Sequence, residues 1–160
     1  FPKIPGFTYT GVITTRYLFD FGPRSDNGII THYPPRFIDR PIYPSFVSRT
    51  DVDGNEVAGI RLPSVAVPVA TTTGWALRGE GYALNDGCEG SGQTIPFPRT
   101  QSERVTSGDP RLSLEERYGT HGDYVEAVTQ AARRLMDERL LLERDVQRYI
   151  KEAANSEILK

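Results

Sequence analysis

One cysteine, one tryptophan, one methionine and two histidines are all that these 160 residues hold of their scarcest chemistry. With Cys88 alone, no disulfide can close within the chain. The thiol is either structurally incidental or one half of a bridge to a cysteine on another segment. His32 and His121 lie far apart and no cysteine cluster accompanies them, so there is no zinc signature. Each reads as a surface residue or a satisfied core residue. Neither sign of charge dominates: 19 Lys and Arg against 21 Asp and Glu leave a net charge of −2. A nucleic acid or an anionic membrane would find no basic field to bind. Apolar runs stay well short of membrane-spanning length. Proline, frequent early on, is reduced to Pro110 beyond residue 100.

Motifs of catalysis are missing as well. A serine nucleophile elbow needs glycine two residues to either side, because the sharp strand-to-helix turn leaves no room for a side chain. Ser91 in CEGSGQT is flanked at those offsets by Glu89 and Gln93, and no other serine fits. In DVDGNEVAGIRL, Gly54 is fourth from Asp51 and Leu62 stands where a calcium loop needs a bidentate Glu, so a turn is the better reading. RGEGYAL has two glycines without a third and no following Lys-Ser/Thr, so it is not a phosphate loop. The many carboxylates of the last third sit at spacings that suit exposed ion pairs with Arg. Metal ligands and a cofactor site are therefore not expected.

What remains, 38% hydrophobic and 25% charged, suits one globular domain or a large piece of one. An α+β class is expected, with short strands, hairpins and long loops over 1–109 and a helical segment over 110–160. The β-branched and aromatic run Val12 to Phe21 reads as extended and stops at Gly22-Pro23. Asn27-Gly28 reads as a turn, followed by a short strand stopped by Pro34-Pro35. Around Asp51-Val52-Asp53-Gly54-Asn55 a hairpin is expected over about 46–62, with Phe46 and Val47 before it and Val57 and Ile60 after it. The run SVAVPVA reads as strand-like and drifts into a Gly-rich loop around Trp75. Ser113 and Glu116 form a capping-box pattern that opens a short helix ending at Gly119. From Asp123 to Leu141, Tyr124, Val128, Ala131 and Leu135 share one helical face, beside Val125, Ala132 and Met136. Val146, Ile150 and Ala153 repeat the pattern, so a helical hairpin closes the chain. Trp75, with Arg78 and Tyr82 nearby, either anchors a core or lines a substrate pocket, since long loops often carry binding groups.

The blocks IPGFTYTG, LFDFGPR, DVDGNEVAGIRLPSVAVPVATTTGWALR, IPFPRT, SGDPRLSLEERYG and YVEAVTQAARRLMDERLLLERDVQRYIKEA, taken in order, resemble the C-terminal region of large, mostly bacterial α/β-hydrolase-domain proteins. The resemblance covers almost the whole chain. It implies the tail of an esterase-like serine hydrolase whose elbow and catalytic histidine lie upstream. No catalytic residue then maps onto this chain, and the partner is that upstream segment, joined covalently or as a nicked second chain. The opening at Phe1, with no Met and no leader, reads as the inside of a domain and agrees. The resemblance also implies a cysteine near Cys88 in relatives, so Cys88 is a candidate for an inter-segment disulfide and, if paired, for an extracytoplasmic setting. The strand around His32 departs from the family texture, which argues against a catalytic role for it. The alternative is a stand-alone binding or scaffold module acting through the Trp75 loop or the helical hairpin.

Overall fold

The computed structural model describes residues 1–7, 18–38, 48–82, 87–88 and 90–160. In chain order the elements are β1 (Leu18–Asp20), β2 (Arg36–Ile38), α1 (Pro63–Ala66), β3 (Ala70–Thr73), β4 (Ala76–Leu77), β5 (Gly87–Cys88), β6 (Gln93–Pro96), α2 (Gln101–Ser107), α3 (Leu114–Tyr118), α4 (His121–Asp137) and α5 (Glu143–Asn155). The expected α+β class is borne out. Two compact units share the chain: Phe1–Thr8, Ser48–Ala76 and Glu89–Lys160 in the first, Tyr9–Val47 and Leu77–Cys88 in the second.

The first unit is built on α4 and α5. Buried Val128, Ala131, Ala132 and Leu135 on α4, with Val146 and Ala153 on α5, occupy the stripe that the 3, 4 and 7 spacing predicts. Val67, just after α1, joins Val128, Ala131 and Ala153 in one core cluster, with Tyr118, Tyr124 and Tyr149 packed around it. Helix α4 starts two residues earlier than expected because the Thr120 side chain caps it, accepting from the Asp123 N–H. Its regular helix ends at Asp137, short of the expected Leu141. Helix α3 opens on the capping box read from Ser113 and Glu116, and Gly119 ends it. β3 pairs antiparallel with β6, Ala70 opposite Pro96 through Thr73 opposite Gln93. Thr71 and Thr73 are buried while Thr72 is exposed, the strand alternation of two faces.

In the second unit β1 and β2 form an antiparallel ladder with Phe19 opposite Phe37 and Asp20 opposite Arg36. The Phe19 and Phe37 ring centroids lie 5.0 Å apart. A short turn of 3-10 helix, Ser25–Asn27, ends on left-handed Gly28, as the Asn27-Gly28 dipeptide predicts. At Gly22 the backbone runs at φ +106° and a Cβ would come within 1.9 Å of the Thr31 Oγ1, so only glycine fits.

Several local expectations need correction. The strand falls after Pro34-Pro35, not before: the Thr31 and His32 N–H groups both donate to the Phe21 carbonyl, which bends 29–33 out of any ladder. SVAVPVA is not a strand. Pro63 sits in the first turn of α1, where its missing N–H costs nothing, and extended chain starts only at Ala70. At the expected hairpin around Asp53, the described residues show an antiparallel bridge of Thr50 with Glu56, the Val57 N–H donating to the Arg49 carbonyl and the Asp51 N–H to the Asn55 carbonyl. Val57 and Ile60 stay exposed there, while Phe46 and Val47 lie outside the described residues, as does 12–17 of the first expected strand. The Gly-rich stretch after Trp75 contains strands β4, β5 and β6. Helix α2 was not expected. Its signal was present, however: Thr100 and Glu103 form a second capping box in TQSE.

Candidate functional site

The first unit is locked by buried polar groups. Asp51 accepts from the Asp53 and Asn55 N–H groups through one carboxylate oxygen, which shapes the turn at Gly54. Asn55, fully buried, donates to the Ala70 carbonyl at 3.0 Å and accepts from the Thr72 N–H at 2.8 Å. The turn is thereby fastened along β3. Thr71 donates to the Asp53 carbonyl, and Asp53 takes a forked pair of bonds from Arg117. The Arg111 guanidinium spends every N–H it has: two on Asp109, at 2.9 and 2.6 Å, one on Thr71, and one each on the Ile95 and Pro96 carbonyls. Burial alone would raise the Asp109 carboxyl. The Arg111 side-chain and backbone bonds, with the charges of Arg111 and Arg104, outweigh it and hold the group below its ordinary value. Both guanidiniums lie over Phe97, Arg111 at 5.1 Å and Arg117 at 4.3 Å from the ring centroid.

Beside this lattice opens a groove of about 770 Å³. Ile4, Pro5, Ile95 and Pro98 supply apolar wall, and Thr100 and Ser102 supply hydroxyls. Asp109 and Arg111 also line it, yet their polar atoms are committed to the protein. The groove can bind or pack. Nothing lining it makes a nucleophile–base pair.

The second unit holds the one histidine–carboxylate pair among the described residues. His32 Nδ1 lies 3.0 Å from Asp20 Oδ2, and Asp20 Oδ1 accepts from the Gly22 N–H at 2.7 Å. The Gly22 bond is the largest influence on Asp20. With His32 and Arg36, it holds the carboxyl below its ordinary value against partial burial. A carboxylate-oriented imidazole is the acid–base half of a triad. Here no serine, threonine or cysteine side chain hydrogen-bonds to the ring among the described residues. The sequence does not announce this pairing, since His32 lies twelve positions beyond Asp20 with Pro23 and a turn between them and no recognisable motif spans the two.

Trp75 belongs to the first unit, where its ring lies 5.7 Å from Phe1 and 6.1 Å from Phe7. Arg78 and Tyr82 belong to the second, both exposed. Cys88 is half-buried on β5 with a free thiol. The His121 ring nitrogens face the Ile158 and Ala154 carbonyls at 2.7 and 3.2 Å. Among the described residues no three His, Cys, Asp or Glu side chains converge as metal ligands. No described helix is long and apolar enough to cross a membrane.

No curated protein and no solved structure matches this chain. A family model described as "Alpha/beta hydrolase domain" matches residues 15–151, a span that holds all three two-stranded ladders, the polar lattice and most of α5. The chain belongs to that alpha/beta hydrolase domain family.

Proposed function

We propose that the chain is the non-catalytic C-terminal portion of an esterase-like serine hydrolase of this family. In that protein an upstream Ser–His–acid set attacks a carboxylic ester. The observation that carries the reading is the combination of family membership with a sequence in which no serine has an elbow. The described strands support it. They make three two-stranded ladders, and an elbow is built at the top of a broad sheet. Phe19, its cross-strand partner Phe37 and neighbouring Phe21 are each more than a third exposed, an apolar cluster that the rest of a hydrolase core would cover. The saturated lattice around Arg111 suits a rigid wall better than a reacting centre. Cys88 is then available to pair with a cysteine upstream.

Turnover of short-chain nitrophenyl esters tests the reading. The 160-residue chain should hydrolyse them no faster than buffer, while the polypeptide that also carries the elbow should turn them over. Saturable turnover by this chain, lost in His32→Ala, would overturn it. A chain that stays folded and monomeric without any upstream partner would favour the binding-module alternative.

A further inference from the structure

Where α1 meets the α4–α5 hairpin, the first unit has a cleft of about 160 Å³. Its walls include Pro63, Ser64, Tyr124, Val128, Tyr149 and Glu152. At a liquid volume of about 30 Å³ per water, that is room for a ligand of roughly half a dozen heavy atoms. The polar groups in it are unspent. No hydrogen bond or ion pair within the described residues uses the Ser64 hydroxyl, either phenol or the Glu152 carboxylate, and none of these oxygens is sealed from solvent. The lining holds two phenol rings and one carboxylate, while Arg148 and Lys151 share a neighbouring groove with that carboxylate. Tyr149 already takes a cation: the Arg148 guanidinium lies 5.5 Å from its ring centroid. Arg148 is itself 3.5 Å from Asp145, which leaves the Glu152 charge without a salt bridge although Lys151 lies beside it in the chain. Burial pushes the Tyr124 phenol up, so the ring stays neutral and Glu152 supplies the charge.

We propose that this cleft binds a small organic cation, an alkylammonium, between the Tyr124 and Tyr149 rings with Glu152 as counter-ion. The site stands apart from the hydrolase reading and does not depend on it. The probe is choline, set against its uncharged carbon isostere dimethylbutanol, in ligand-observed NMR titrations. Choline should bind in roughly the millimolar range, and the isostere about tenfold or more weakly. Glu152→Gln, on an exposed residue, should weaken choline about two- to fivefold with helical circular dichroism unchanged. Tyr149→Phe should keep binding, and Tyr149→Leu should lose it. Equal binding of the isostere, an unaltered affinity in Glu152→Gln, or no choline binding at concentrations well above millimolar would each overturn the proposal.

Discussion

Replacing Arg111 by methionine tests how the first unit is held together. Its side chain is 2% exposed and that of Asp109 5%, so water cannot take over what the guanidinium does. The substitution leaves Asp109 charged without its partner and removes donors from Thr71 and from the Ile95 and Pro96 carbonyls. Breaking a buried pair from one side costs about 3–5 kcal/mol. Asp109→Leu combined with Arg111→Met removes both charges, leaving mainly the orphaned acceptors, at about 1–3 kcal/mol. The double variant should therefore be more stable than Arg111→Met alone, in urea unfolding followed by far-ultraviolet circular dichroism. Acid supplies a second check. In the native protein Asp109 is held below its ordinary 3.8, so its contribution is complete above that pH and is lost as pH falls below it. Without Arg111, burial raises the same carboxyl, and acid then relieves the defect. The stability gap between native protein and Arg111→Met should narrow as pH falls through about 4. A cost under about 1 kcal/mol, single-variant effects that simply add, or a gap that widens in acid would refute this reasoning.

Glu116 accepts from Arg104 Nε and Nη2 and from the Ser113 hydroxyl and N–H, and these bonds pull its pKa from 4.5 to about 2. A depressed carboxylate stabilises above its unfolded value, so the Glu116→Gln defect should be present at neutral pH and fade between 4.5 and about 2 on acid titration. Gly22→Ala combines a positive φ with a collision against Thr31, so it should loosen the turn and speed tryptic cleavage after Arg24; unchanged cleavage would contradict the geometry. If Arg78 and Tyr82 form pocket wall in the hydrolase, Arg78→Ala and Tyr82→Ala should raise KM for esters without lowering thermal stability, as both are exposed.

The helical part of this fold was legible because its signals are local. A capping box, a 3–4–7 apolar stripe and a terminal glycine sit within a few residues of one another, as at Ser113, Val128 and Gly119. The missed helix α2 carried the same box at Thr100 and Glu103, overshadowed by the proline-rich texture before it. Strands were less legible because their partners are distant. Nothing near Ala70 announces Pro96, and an apolar run such as SVAVPVA satisfies a strand and a buried helical turn equally. The lattice around Arg111 was invisible for the same reason, since Thr71 and Asp53 reach it from far along the chain. Asp20 and His32 likewise meet only when the turn at Gly22 is folded.

Activity-based labelling tests the central claim most directly. A fluorophosphonate reagent would be applied to the hydrolase polypeptide containing this chain, and the adduct mapped by peptide mass spectrometry. The account predicts one labelled serine, in a Gly-x-Ser-x-Gly segment outside these 160 residues, with every serine from Ser25 to Ser156 unmodified. An adduct on any serine of this chain would contradict it and make the Asp20–His32 pair the place to look for the base.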